Sequence, residues 1–174
     1  FRFRAEIKIN DHGNSGMYFR VPAPTGDFSK GYEVQINSTH GDPIKTGSVY
    51  TFVHVYKKLV PPDTWFTQEI EVVDKNFRGK KVPHIKVWVN GELLFEFLDY
   101  TNAWSQGYLG FQQHDPGSKV ELHQKSCDFL DCASPPSAYP GRCSTSLLFA
   151  ELPRISFRFF TSSNLRDDAH RVWR

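Results

Sequence analysis

The chain has 174 residues and a formal net charge of +2, with 39% hydrophobic and 15% aromatic residues. This length and composition indicate one domain with a packed core and exclude a disordered chain. No apolar run exceeds five residues, which excludes a membrane-spanning helix, and the charge gives no general attraction to nucleic acid. The chain opens at Phe1 without a signal-peptide pattern, so we expect it to be a processed or incomplete sequence.

Apolar residues recur with a period of two from Phe1 to Leu122. Between Phe1 and Asn10 they alternate strictly with polar residues, which is typical of a half-buried strand. The next predicted strands are Met17–Val21, Tyr32–Asn37, Ser48–Val55, Trp65–Val73, Ile85–Val89, Leu93–Leu98, Gly107–Gln113 and Lys119–Leu122. Asn90-Gly91 between two of them is a strong hairpin signal. No stretch of twelve residues has a helical period. The pattern predicts an all-β, antiparallel two-sheet sandwich.

Residues 123–174 differ in composition from the rest. The first 122 residues carry fourteen basic and fourteen acidic side chains, so the excess charge lies in the last 52. Those residues also hold all three cysteines (Cys127, Cys132 and Cys143), whose spacing does not match a zinc-binding pair. We interpret 123–174 as an atypical tail. It is either an extension docked on the domain or, as we favour, sequence not selected for this fold.

We expect this tail to add little to the core of residues 1–122. One stretch argues the other way: Ile155, Phe157 and Phe159 alternate with Ser156 and Arg158, a pattern that predicts one short strand.

Three predicted strands place polar residues opposite their apolar set. If these strands are neighbours, their polar faces form one patch that holds Arg20, Glu33, Gln35 and His114. Amides and carboxylates hydrogen-bond sugar hydroxyls, and aromatic faces stack on pyranose rings, so the patch suits a sugar. The pattern alone leaves three interpretations open: catalysis, carbohydrate binding, or a solvated sheet face with a weak ion pair.

Two histidines lie near this patch. His114 ends a strand and precedes the turn at Asp115, where a fixed backbone and an exposed ring suit a general base or a metal ligand. A role in capping the turn is the alternative. His40, with Asp42, is a weak candidate for a metal site. The sequence contains no P-loop, dinucleotide-binding, EF-hand or nucleophile-elbow motif.

Five blocks stand in order along the chain: Gly13–Arg20, Gly31–Ile36, Thr46–Tyr50, Val87–Gly91 and Gly107–Val120. Together they closely resemble the 3-keto-disaccharide hydrolase domain family, over about Phe1 to Leu122. The resemblance implies a concanavalin A-like jelly-roll sandwich of the lectin/glucanase type. It also implies a bacterial, secreted protein, periplasmic or extracellular, that cleaves 3-keto-glycosides or disaccharides.

The implied chemistry is β-elimination followed by hydration, or net hydrolysis. A ketone at sugar C3 acidifies the proton at C2, a base removes that proton, and the glycosidic oxygen leaves C1 from the enolate. The candidate bases are His114 and Glu33, and the candidate enolate stabilisers are Arg20 or a bound divalent cation. The candidate substrate-binding residues are Arg20, Gln35, Tyr50, Gln112 and Asp115.

The sequence departs from this family at both ends. Family members normally begin with a further segment that holds at least one strand, and they end soon after the position of Leu122. We therefore expect residues 1–122 to form an incomplete jelly-roll domain, followed by the tail at 123–174. Two alternatives to catalysis remain: a carbohydrate-binding module on the same fold, or an inactive fragment.

Overall fold

The structure, a computed structural model, describes residues 1–22 and 30–128 and the backbone of residues 158–161. Every regular element within these ranges is a strand. The strands are β1 Arg2–Ile9, β2 Ser15–Val21, β3 Tyr32–Ile36, β4 Phe66–Phe77, β5 Lys80–Val89, β6 Glu92–Leu98, β7 Tyr108–Gln113, β8 Val120–Asp128 and β9 Arg158–Thr161. A helix long and apolar enough to cross a membrane is absent from this part of the chain.

The strands form two sheets that enclose the core. The first sheet has the order β6-β5-β4-β1-β8, and the second has the order β3-β2-β7-β9. Alternation decides which side of each strand is buried: in β1, Phe3 and Ile7 are fully buried, whereas Arg2 is exposed. Phe19 and Phe111 of the second sheet belong to the same hydrophobic cluster. The predicted all-β, two-sheet sandwich is confirmed, because each alternating strand buries one face against the other sheet.

The predicted hairpin at Asn90-Gly91 is also present. It joins β5 to β6, and the two residues have φ angles of +51° and +80°. A two-residue turn with both φ angles positive matches the twist of the flanking strands. Asn and Gly adopt this conformation at low cost, so this local sequence specifies its own turn.

The strand predicted at Ser48–Val55 is wrong. The chain turns back on itself there, so that Val49 forms isolated bridges with Val34 and Val53. The N–H group of Val53 donates to the carbonyl of Val49, and Thr51 has a φ of +69° that interrupts the extended backbone. This turn lies beside β3, because the N–H group of Tyr50 donates to the carbonyl of Glu33.

Two strands include residues of the predicted tail. Strand β8 continues past Leu122 and pairs with β1 as far as Asp128. The backbone of β9 lies parallel to β7, and β9 contains Phe159 of the predicted short strand. Ile155, Phe157, Cys132 and Cys143 lie outside the described residues. The division of the chain at Leu122, and a small contribution of the tail to the core, stay predictions.

Candidate functional site

A small polar cavity of about 180 Å³ lies on the outer face of the second sheet, away from the hydrophobic core. Six of the residues that line it were singled out from the sequence: Glu33, Gln35, Asp42, Tyr50, Gln112 and His114. Asn14 also lines the cavity. Amide, carboxylate, imidazole and phenol groups therefore meet at one place, and they offer hydrogen-bond donors and acceptors to a polyhydroxylated ligand.

Strand register explains why these side chains share a face. Strands β2 and β3 are antiparallel neighbours, with Tyr18 directly opposite Glu33 and Gly16 opposite Gln35. On the other side of β2, Gly110 of β7 lies opposite Tyr18. Since residues opposite one another across two strands point to the same side of the sheet, Tyr18 and Glu33 are side by side. The condition on which the patch depended, that these three strands be neighbours, is met.

Glu33 has the most perturbed carboxyl group in this cavity. Burial raises the pKa of Glu33 to about 7, and the negative charge of Asp42 acts in the same direction. A hydrogen bond from the Tyr18 hydroxyl and the charge of His114 act against this rise. Burial also raises the pKa of Tyr18 far above its ordinary value, so the phenol stays protonated and donates to Glu33. A carboxyl group with a pKa near 7 can take up and release a proton at neutral pH.

Gly16 leaves the space in which Glu33 and Tyr18 lie. A Cβ atom at Gly16 would lie 2.3 Å from Oε1 of Glu33, 2.7 Å from its Cγ and 2.8 Å from Cε2 of Tyr18. These separations are shorter than any ordinary van der Waals contact. A residue larger than glycine at this position would therefore displace the carboxylate or the phenol ring.

His114 is held by the turn that follows β7. Its Nδ1 lies 3.0 Å from Oδ2 of Asp115. Burial acts to raise the pKa of Asp115, but hydrogen bonds from His114, Ser118 and the backbone of Gly117 lower it below the ordinary value. Asp115 is therefore ionised, and this contact orients the His114 ring beside the cavity that His114 lines. Asp115 itself does not line the cavity, and both its oxygens accept hydrogen bonds within the turn.

A chain of hydrogen bonds connects the floor of the cavity to this turn. The Gln35 amide donates to Oδ1 of Asn14 at 2.7 Å, and the Asn14 backbone N–H donates to the Ser118 hydroxyl at 2.8 Å. That hydroxyl donates to Asp115 at 2.8 Å. The Oε1 atom of Gln112 is different: it is buried and has no hydrogen-bond partner among the described residues. A buried acceptor of this kind is satisfied when a ligand donates to it.

Arg20 does not join this cavity, and its predicted place in the patch is wrong. The guanidinium donates to Asp74 of the first sheet at 2.7 Å and to the Trp104 carbonyl at 3.2 Å, and Arg20 is buried. The pairing of β2 with β7 is irregular between Tyr18 and Val21, and Arg20 has a φ of +55°. An irregularity of this kind re-aims a side chain, so counting alternate residues fails there.

His40 lies behind the cavity rather than in its lining. Its ring is 5.8 Å from that of His114, and its Nδ1 accepts a hydrogen bond from the Asp42 backbone at 3.1 Å. Across residues 1–22 and 30–128, no group of three or more His, Cys, Asp or Glu side chains has the arrangement to hold a metal ion. The suggested metal role of His40 and Asp42 therefore gains no further ligand from the described residues.

Two residues of the site were not selected from the sequence. Tyr18 and Asn14 both lie in the block Gly13–Arg20, but neither is among the candidate site residues predicted from the sequence. The available signal for Tyr18 was its register: if β2 and β3 pair tightly, one residue of β2 must face Glu33. For Asn14 no local pattern gave a signal, because its partners Gln35 and Ser118 are distant in sequence.

Fold and cavity together define a β-sandwich domain with a polar cavity on one sheet face. Residues 1–124 match the model of the 3-keto-alpha-glucoside-1,2-lyase-like domain, and the chain belongs to that family. The family that the sequence resemblance indicated is thereby confirmed. The search of curated proteins found no match.

One similar solved structure comes from Parabacteroides distasonis ATCC 8503 and carries the name "Putative glycosyl hydrolase". It is 20% identical in sequence, with a TM-score of 0.45, and the match covers 55% of this chain. The matched part is 49% of that chain, so the present sequence corresponds to about half of its length.

Proposed function

We propose that this domain cleaves the glycosidic bond of 3-keto-glycosides by β-elimination, with Glu33 as the base and His114 as the group that stabilises the enolate. The observation that carries the proposal is Glu33, a carboxyl group whose pKa is raised to about 7 in a polar cavity beside His114. Family membership supports the substrate class. Residues 1–124 would thus act on a sugar that another enzyme has already oxidised at C3.

The proposed reaction begins with removal of the C2 proton by the Glu33 carboxylate. The electrons of the C2–H bond form an enolate with the C3 ketone, and the His114 ring donates a hydrogen bond to the enolate oxygen. The enolate then expels the glycosidic oxygen from C1, and Glu33 passes the proton that it took from C2 to this leaving oxygen, which restores the carboxylate. Water that adds across the new double bond completes a net hydrolysis.

The hydrogen bond between His114 and Asp115 supports this division of roles. That contact fixes the orientation of the imidazole ring, as a carboxylate does for the histidine of a catalytic triad. The described lining of the cavity contains no Arg or Lys, so within it only His114 has a side chain able to carry a positive charge. His114 as the base, with Glu33 in the second role, is the reverse assignment.

Asp42 supports a second candidate function, direct hydrolysis of a glycoside by two carboxyl groups. Asp42 lines the same cavity as Glu33, and its charge contributes to the raised pKa of Glu33. Ordinary glycosidases use one carboxyl group as acid and another as base or nucleophile. Such an enzyme would accept a substrate without a ketone, whereas elimination requires the ketone to acidify C2.

The test compares two substrates that differ at one carbon. A chromogenic 3-keto-glucoside and the matching glucoside are incubated with the protein, and release of the aglycone is followed. Release from the keto substrate alone supports elimination, and release from both supports two-carboxyl hydrolysis. Binding of either sugar without release supports a carbohydrate-binding module and contradicts the proposal. A periplasmic or extracellular location remains a prediction from the family resemblance.

A further inference from the structure

Tyr18 lies under the cavity and makes its hydrogen bond with the group that we propose as the base. It is 2% exposed, it stands directly opposite Glu33 across β2 and β3, and its hydroxyl donates to the Glu33 carboxylate. A phenol at this depth has no access to bulk water, so its proton is shared mainly with the carboxylate. The contact connects a rigid ring in the sheet to a more flexible side chain.

The packing around this contact leaves Glu33 little freedom. Gly16 and Gly110 flank Tyr18 along and across the strands, and a Cβ atom at Gly16 would overlap both Glu33 and Tyr18. The phenol ring and the carboxyl group thus occupy a gap that the absence of a side chain provides. Glu33 is also faced by His114 and Asp42, whose opposite charges act on its pKa in opposite directions.

We propose that Tyr18 is a positioning residue for Glu33: its hydroxyl holds the carboxylate toward the cavity and stabilises the ionised, proton-accepting form. This inference rests on the proposed role of Glu33 as the base. Without Tyr18, burial and the charge of Asp42 would be opposed by His114 alone. The carboxyl group would then keep its proton to higher pH, and it would be free to rotate away from the substrate.

The experiment replaces Tyr18 with Phe and follows Glu33 directly. Glutamate labelled with ¹³C at the carboxyl carbon is titrated by NMR, and the Glu33 signal is assigned by its absence in Glu33→Gln. In Tyr18→Phe the pKa of Glu33 should rise by about one unit, the size expected when a hydrogen bond to a charged group is lost. The acid limb of the kcat profile should move to higher pH by the same amount, with little change in KM.

Tyr32→Phe is the matched control. The Tyr32 hydroxyl is also buried in this sheet and donates to a carboxylate, Asp99, at 2.5 Å. Its loss should leave the pKa of Glu33 unchanged. If Tyr18→Phe leaves that pKa unchanged too, the inference is overturned. If the wild type shows no turnover, the proposed function fails, while the titration still decides whether Tyr18 holds Glu33.

A second variant covers the case in which Tyr18→Phe does not fold. 3-Fluorotyrosine introduced at position 18 keeps the ring and its hydroxyl but makes the phenol more acidic, so it donates a stronger hydrogen bond. The pKa of Glu33 should then fall below its wild-type value. An unchanged value overturns the inference.

Discussion

The outer faces of the two sheets carry the same kinds of residues in two different environments. On the first sheet, Lys86 pairs with Glu71 at 3.1 Å and Lys8 with Glu121 at 2.9 Å, and all four side chains are partly exposed. On the second sheet, the corresponding face holds Tyr18 and Gln35, each 2% exposed, beside Glu33. Polar and apolar residues therefore alternate in the same way in both sheets, but water reaches the outer face of the first sheet more easily than that of the second.

Water decides what these polar residues can do. Exposed ion pairs are screened and stabilise a protein by about 0–1 kcal/mol, so the first face needs no function to explain it. The loops at residues 38–50 and 114–118 reduce solvent access to the second face. There a carboxyl group that has no Lys or Arg partner among the described residues acquires a pKa of about 7. The comparison separates a solvated surface from a site capable of proton transfer.

The largest expected effect comes from Glu33→Gln. The amide has nearly the same shape but cannot accept the C2 proton, so turnover of a 3-keto-glycoside should fall by about 10²–10⁴-fold. Glu71→Gln is the control on the other sheet, and it should keep full turnover and lose at most about 1 kcal/mol of stability. Full turnover by Glu33→Gln would show that Glu33 is not the base, and the outer face of the second sheet would then be no more functional than that of the first.

His114→Ala should reduce turnover by a similar factor, about 10²–10⁴-fold, because the variant loses the group that stabilises the enolate. The fold should be retained, since the His114 side chain is 40% exposed. Circular dichroism measures retention of the fold, and steady-state kinetics measure turnover. Retained turnover would make His114 a turn residue, and loss of folding would make its role structural.

The raised pKa of Glu33 predicts a pH dependence of stability. Between pH 4.5 and about 7 the folded protein holds a proton on Glu33 that the unfolded chain releases. The free energy of unfolding should therefore fall as pH rises through this window, by at most about 3 kcal/mol from this group. Urea unfolding at pH 5 and pH 8 should show this loss in the wild type and not in Glu33→Gln. Equal losses in the two proteins would contradict the raised pKa.

Gly16→Ala should change the packing of Glu33 and Tyr18 on the outer face of the second sheet. The added methyl group overlaps Glu33 and Tyr18, so we expect a loss of about 1–3 kcal/mol in stability together with reduced turnover. Gly41→Ala is the control, because a Cβ atom at Gly41 meets nothing within 4 Å. Urea unfolding of both variants gives the comparison. An unchanged Gly16→Ala protein would show that the carboxylate and the phenol do not fill this gap.

The smallest effect is expected from removal of the tail. A chain that ends at Asp128 keeps β8 whole, and its thermal midpoint should stay within about 5 °C of the wild type. A chain that ends at Leu122 also loses the part of β8 that pairs with residues 2–4, which makes it the sharper test of the tail prediction. Failure of both chains to fold would show that residues after 128, which include β9, are needed for the second sheet to be stable.

Much of the fold was predictable because the signals are local. The alternation in β1 and the Asn90-Gly91 turn each specify their own geometry within a few residues. The strand at Ser48–Val55 was wrongly predicted because the apolar residues of this segment suit both a strand and a tight turn. The turn shows only in the bridge between Val49 and Val53 and in the positive φ of Thr51.

The candidate site was predictable to the extent that strand parity holds. Glu33, Gln35 and Gln112 face one cavity because their strands are regular neighbours, whereas the irregularity before Val21 sends Arg20 toward Asp74. No pattern in the sequence marks that irregularity.

By itself, the sequence determined the class of fold, the polar face and the family to which residues 1–124 belong. Alternation, turn residues and motif blocks depend on residues that are close together in the sequence, and so they can be recognised from the sequence alone. Only the tertiary structure decided which carboxyl group is shielded from water, which tyrosine donates to it and which turn holds His114. Those properties depend on groups as far apart in sequence as Asn14 and Ser118, because solvent access and charge are set by what surrounds a side chain in space.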